Sequence, residues 1–196
     1  MKTLATALSA LLLVLSGPDA AAETWQIDAA HSHVGFKVRH MMVSWTRGEF
    51  GGVSGTIEYD PKSPAATKAD VTIDVATIDT RDEKRDAHLE SADFFDAAKH
   101  PTMTFKSRAV RDVRKDGFDL VGDLTLHGVT KEVVLKVTEL SAPVKSPWGM
   151  SVVGARAEAV IKRDDFGMTW NKTLDAGGLV VGNEVHVVLE VEAMKK

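Results

Sequence analysis

Seven histidines, 28 carboxylates and no cysteine set the chemistry open to this 196-residue chain. His31 and His33 stand one residue apart. On a strand, residues i and i+2 point the same way, so the pair could offer two imidazoles to one metal ion. His40, His88, His127 or a carboxylate could supply a third ligand. The same residues could equally cap turns or satisfy buried backbone, and no His-Glu-x-x-His or comparably dense spacing is present. A second group is Arg85, Asp86 and His88. A guanidinium forks onto phosphate, so these three could meet a polar head group, or they could anchor one element to another. Asp86 with His88, or Asp93 nearby, could make an acid–base dyad. Hydroxyls are available at Ser32, Ser91 and Ser107, but there is no Gly-x-Ser-x-Gly elbow and no glycine-rich phosphate loop. Binding rather than catalysis is expected. The missing cysteines exclude disulfides, thiolate zinc sites, iron–sulfur clusters and thiol nucleophiles. A net charge of -4 lacks the broad positive field of a nucleic-acid binder.

The elements that must position these residues are mostly strands. Apolar and polar residues alternate with period 2 in eight stretches, including Val34–Val38, Val53–Asp60, Val71–Val75 and Thr102–Lys106. The pattern continues through Phe118–Leu126, Glu132–Thr138, Val153–Lys162 and Glu184–Glu192. Such alternation leaves one face wet and favours antiparallel pairing. Asp116-Gly117 reads as a hairpin turn with φ > 0, and His127-Gly128 as the next turn. One region breaks the pattern. Thr80-Arg81-Asp82-Glu83 fits a capping box with Thr80 as N-cap, predicting a helix from Arg81 to about Leu89. A further turn begins at Ser91, and His100-Pro101 ends the insert. Eight strands in hairpin order suit a closed up-and-down barrel, which removes sheet edges. Gly55, Gly122, Ala155, Ala157 and Ala159 fall on one apolar register, so the interior could be a cavity or a collapsed core.

Residues 1–22 read as a secretory signal peptide, with Lys2, an apolar run from Leu4 to Leu15 and an Ala20-Ala21-Ala22 cleavage site. The mature domain then spans 23–196, and no other stretch is apolar enough to span a bilayer. A soluble, exported product is expected.

Residues 23–196 resemble the YceI-like family of bacterial periplasmic lipid-binding proteins. The likeness rests on Trp25-Gln26-Ile27-Asp28, His31-Ser32-His33-Val34-Gly35-Phe36, His40, Gly48-Glu49-Phe50 and Gly55-Thr56-Ile57. It continues through Ile78-Asp79-Thr80, Arg85-Asp86-Ala87-His88-Leu89 and Ser91-Ala92-Asp93-Phe94-Phe95-Asp96. His100-Pro101, Thr104-Phe105, Gly122 to Thr130 and Arg163-Asp164-Asp165-Phe166-Gly167 complete it. The resemblance implies an all-β fold: an eight-stranded antiparallel lipocalin-like β-barrel with a short helical insert. It implies an enclosed long-chain isoprenoid, of polyprenyl phosphate or quinone type, a periplasmic carrying or sequestering role, and no catalysed reaction. It also decides the interior in favour of a cavity.

On this basis the lumen residues are expected to be Phe36, Val38, Phe50, Phe94, Phe105, Leu120, Leu124, Val133, Leu135, Ala157, Ile161 and Phe166. Phe50, Phe94 and Phe166 rest on motif position, the others on strand parity. Arg85, Asp86 and His88 are expected at the head group. No cofactor and no metal are expected beyond the lipid. Contact with a membrane would be transient, without insertion, and a homodimer is open. The alternative is a metal-binding protein or metal-dependent enzyme built on His31 and His33.

Overall fold

A computed structural model describes residues 22–175 and 177–195 of the chain. The expected signal peptide lies outside the described residues except for its last position. The strands, in chain order, are β1 (Glu23–Ile27), β2 (His33–His40), β3 (Ser44–Phe50), β4 (Val53–Tyr59), β5 (Lys68–Asp74) and β6 (Ile78–Asp79). They continue with β7 (Thr102–Arg114), β8 (Gly117–Leu126), β9 (Val129–Thr138), β10 (Val144–Lys145), β11 (Ser151–Lys162) and β12 (Val181–Lys195). One helix, α1 (Glu83–Glu90), lies between β6 and β7.

These segments make eight passes of the chain. β1 and β2 occupy the same edge of β12. β3 faces β2 while β4 faces β1, and β6 faces β3 while β5 faces β4. Each pair is one strand broken in the middle. All pairings are antiparallel, each pass neighbours the next in sequence, and β12 returns to the first. The result is a closed eight-stranded antiparallel barrel with one short helix, as expected. Each alternating stretch falls in a different pass. β1 alternates too, through buried Trp25 and Ile27, but is only five residues long, and β3 shows no alternation. In β3 the inward register is Thr46, Gly48 and Phe50, so period 2 is hidden.

Specific hydrogen bonds hold each break. Between β1 and β2, Asp28 accepts the Ala30 amide at 3.0 Å, and the Ser32 hydroxyl exchanges bonds with the Glu192 backbone. Between β3 and β4, the Gly52 amide donates to Thr77 Oγ1 at 3.0 Å. A side chain at Gly52 would meet Asp74 and Thr77 at 2.8 Å. Between β5 and β6, Asp74 caps a 3₁₀ turn by accepting the Ala76 amide.

Two local expectations are corrected. Asp82, not Thr80, caps α1, accepting the Lys84 and Arg85 amides at 3.1 Å. Arg81 is left-handed at φ +65°, so the helix cannot run back to Thr80. Gly117 has no positive φ; it is needed because any side chain there would strike the Val137 carbonyl. His127-Gly128 is the expected turn, with φ of +52° and +72°.

The connections at one end, residues 41–43, 80–101, 127–128 and 163–180, form what we call the upper rim. The lower end is sealed by buried Trp25, whose indole N–H donates to the Tyr59 carbonyl at 3.1 Å, with Val153 and Ala193. Burial raises the Tyr59 pKa, with a smaller contribution from Asp60.

The wall is not uniform. β8 and β9 pair along their whole length, but β9 and β11 share only Lys136–Thr138 against Arg156–Glu158. Above that level β9 and β11 part. On the other side, β5 pairs with β7 whereas β6 pairs only with β3 among the described residues. The β8–β9 hairpin is therefore joined to the sheet at its upper end through β7 alone.

Candidate functional site

Side chains that alternate toward the barrel axis enclose a cavity of about 270 Å³. β12 shows how it arises. Val185, Val187, Leu189 and Val191 all point inward from one register, yet all four are only half-buried. In a filled barrel they would be covered by side chains from the opposite wall. Beside them on the neighbouring strand β11 stand Ile161, Ala159, Ala157 and Ala155, registered pair by pair. The run of three alanines makes this side of the barrel hollow. Its lining atoms are almost all carbon.

The cavity wall includes every expected lumen residue but one. β2 contributes Phe36 and Val38, and β3 contributes Phe50. β7 and β8 contribute Phe105, Leu120 and Leu124; β9 contributes Val133 and Leu135. Ala157 and Ile161 come from β11, and Phe94 from the β6–β7 connection. Phe166 does not reach the wall. It sits in a 3₁₀ turn, Arg163–Phe166, only 1% exposed in the core behind the cavity. Its motif position marked burial, not lining. Gly55 and Gly122 are also absent from the wall: the Phe105 ring lies across Gly122, and the Asp70 carbonyl fills the space at Gly55.

At the upper rim, Leu89, Phe94 and Phe95 of the 80–101 connection close over the lumen. Phe95 meets Phe50 edge to face at 5.6 Å, and Phe50 meets Phe36 at 5.7 Å. Outside this layer, His88 and Trp170 pack on Phe94 in an aromatic cluster.

The expected head-group residues are elsewhere. Arg85 donates from Nε to Thr80 Oγ1 at 2.7 Å and from Nη2 to the Thr80 carbonyl at 2.6 Å. Asp86 accepts the Thr80 amide at 3.0 Å and the Thr80 hydroxyl. The two therefore lock α1 to the end of β6. His88 pairs with Asp93 at 2.9 Å on the outside. None of the three lines the cavity.

The cation that does is Arg163, 6% exposed, which the motif contained without singling it out. Its Nε and Nη1 donate to the carbonyls of Gly182 and Met168, at 3.0 and 2.5 Å. Burial lowers its pKa, partly offset by Asp164. Arg156 also borders the lumen, but Glu158 and Glu190 hold its guanidinium at 2.8 and 3.0 Å.

His31 and His33 do not act together. His31 lies in the turn before β2 and bonds Asp28 at 2.7 Å; His33 pairs with Glu49 across the strands at 2.9 Å. The i, i+2 geometry needs both on one strand, and only His33 is.

Comparisons with known proteins agree with this architecture. A family model of the YceI-like domain matches residues 25–193. The chain is 40% identical to protein YceI of Escherichia coli O157:H7 over 188 residues, covering 94% of this chain and 93% of that protein. It is 37% identical to a UPF0312 protein of Pectobacterium atrosepticum over 198 aligned positions, covering 100% and 98%. Among solved structures, BcnA of Burkholderia cenocepacia superposes with a TM-score of 0.74 at 26% identity, covering 85% of this chain and 98% of that one. The Campylobacter jejuni YceI protein gives 0.67 at 28%, covering 96% and 99%. A polyisoprenoid binding domain of Saccharophagus degradans shares the fold at 0.61 and 19%, covering 88% and 98%.

Proposed function

The chain belongs to the YceI-like family, and from that membership and its hollow barrel we propose that it binds a long-chain polyisoprenoid lipid, of polyprenyl phosphate or quinone type, in the central cavity. The observation that carries this reading is the half-buried inner face of β12, an interior the protein itself leaves unfilled. A polar guest would lose its water bonds there without compensation. An apolar chain gains about 0.8 kcal/mol for each CH₂ it buries, less the cost of ordering it. The shared fold of the Saccharophagus degradans domain supports the same ligand class. A head group at the upper rim would find Arg163, not Arg85, Asp86 or His88.

We read the protein as a carrier or sequestering protein, exported to the periplasm after loss of residues 1–22, and as binding rather than catalytic. No helix among the described residues is long and apolar enough to cross a membrane. Lipid would be exchanged at the β2–β3 tip, where Met41, Met42 and Val43 are exposed beside the Val38 end of the cavity.

Lipid mass spectrometry on organic extracts of natively purified protein tests this directly. A stoichiometric isoprenoid is expected. Protein that carries none, and takes none up from isoprenoid-loaded vesicles, would overturn the reading. Leu124→Trp should abolish uptake while the far-ultraviolet spectrum and cooperative melting persist, because the indole fills the lumen between Phe105 and Leu135. Unchanged uptake would put the lipid outside the barrel.

A further inference from the structure

Three segments that lie beyond the ends of the strand ladders meet at one point of the upper rim. They are the 80–101 connection, the β8–β9 turn and the Arg163–Phe166 turn. Asp96 and His100 belong to the first, and His127 is at the tip of the second. One donor atom from each of these three side chains lies within 4.8 Å of the other two, and all three residues are partly buried. The His100 and His127 rings stand edge to face, 5.2 Å apart.

From this junction we infer that Asp96, His100 and His127 form a binding site for a divalent transition metal of the zinc class. Two imidazoles and one carboxylate, with water in the fourth position, make a common tetrahedral set. Metal–ligand bonds of about 2.0–2.2 Å are reached by small side-chain rotations from the present spacing. Nitrogen donors also select against magnesium and calcium.

A second observation supports the assignment. His127 Nδ1 donates to the Phe166 carbonyl at 3.0 Å. That bond fixes the tautomer and leaves Nε2 as a lone-pair donor, the outer-shell arrangement typical of metal-bound imidazole. The backbone also holds the ligands in place. The His100 amide donates to the Asp96 carbonyl at 2.8 Å, and the His100 ring lies against Gly128, where any side chain would strike it at 2.6 Å. One competitor is present. Lys99 Nζ bonds Asp96 Oδ2 at 2.8 Å, while Oδ1 has no hydrogen-bond partner among the described residues. The metal would take Oδ1 or displace Lys99, whose side chain is 72% exposed and free to swing away.

Among the described residues, the other His-containing group with such spacing, Asp28, His31 and Glu192, lacks these features. It offers one imidazole, on an exposed side chain whose Nδ1 is already paired with Asp28. It serves as an internal control.

A metal here would staple the lumen-covering connection to the β8–β9 hairpin. Through His127 and Phe166 it would also draw together the parted upper ends of β9 and β11. Slower exchange of a bound lipid follows, and only that consequence rests on the proposed ligand.

The test is calorimetric titration of zinc into the chelator-stripped mature protein, with melting curves at each addition. One saturable equivalent and a rise in Tm are expected, with no response to magnesium. His100→Ala and His127→Asn should lose that site at least tenfold in affinity, while His31→Ala keeps it. Asparagine is chosen because it tolerates the positive φ of residue 127. Should His127→Asn fail to fold, His100→Ala alone decides. No saturable binding in the wild type, or a site unaffected by His100→Ala, overturns the assignment. A parallel measurement of lipid release with and without zinc reads the consequence separately. If zinc binds but release is unchanged, the site stands and the staple does not.

Discussion

The Asp28–His31 pair gives single residues a measurable signature. The hydrogen bond from His31 to Asp28 raises the imidazole pKa above 6.5, helped by the charges of Asp28 and Glu192. The same bond lowers Asp28 below 3.8 against the opposing effect of burial. The raised histidine adds stability that is complete below 6.5 and lost as pH rises through its folded value. The lowered aspartate adds stability present above 3.8 and lost as pH falls through its folded value. The two shifts describe one pair and count once, so its stability is greatest between the two ordinary values, at roughly pH 5, and declines on either side. His31→Gln should lower Tm most there, with a deficit that shrinks toward roughly pH 8.5 as the imidazole loses its charge. An equal deficit at both values would show that the imidazole acts through packing, not charge. At this scale the sequence was legible where parity decided, as at Leu120, Leu124 and Ala157. It failed where a residue's role depends on a partner far along the chain. Nothing near Arg163 announces the Gly182 carbonyl it serves, and nothing near Phe166 says that it lies behind the wall and not on it.

Among the elements, the β2–β3 hairpin carries the exposed apolar tip at which the proposed lipid exchange would occur. Met41 and Met42 both take positive φ, at +47° and +62°, so the tip turns outward, leaving Met42 and Val43 61% and 76% exposed. Below it, Arg39 and Lys37 flank the Trp45 ring at 4.2 and 5.0 Å, and Arg47 is exposed. On the proposed function, apolar side chains above a basic, aromatic band would meet an anionic bilayer surface during lipid exchange. Met42→Asp combined with Val43→Asp should slow lipid transfer from anionic vesicles several-fold. Uptake from detergent should be unaffected. Equal loss in both assays would mean the cavity itself was damaged. The eight passes were legible because a half-buried strand has period 2. Their breaks were not, because Ser32 serving Glu192 and Thr77 serving Gly52 are bonds between segments distant in sequence. The helix was found but its cap misplaced: Asp82 sits two residues inside the expected Thr80, and Thr80 anchors Arg85 and Asp86 instead.

For the whole molecule, the uneven wall predicts uneven stability. Amides of residues 129–135 and 159–162 that face the β9–β11 gap lack ladder partners, whereas Asp119–Gly122 pair on both sides. Hydrogen exchange should be fastest along that gap and slowest in the centre of β8. Uniform protection around the ring would show that the gap is closed in solution. Closure was legible from the strand count and hairpin order, but hollowness was not, since alternation says which side chains point inward and not how far across they reach. The closing contact has a further consequence. From β1 to β11 each pass finds its partner next along the chain, but residues 23–40 must wait for residues 181–195. A chain that folds from its N-terminus thus passes through an open sheet, with one side of the first pass an unpaired edge. Loop closure between the two ends comes last, so it limits the folding rate, and the interval before it is when a chaperone is most needed.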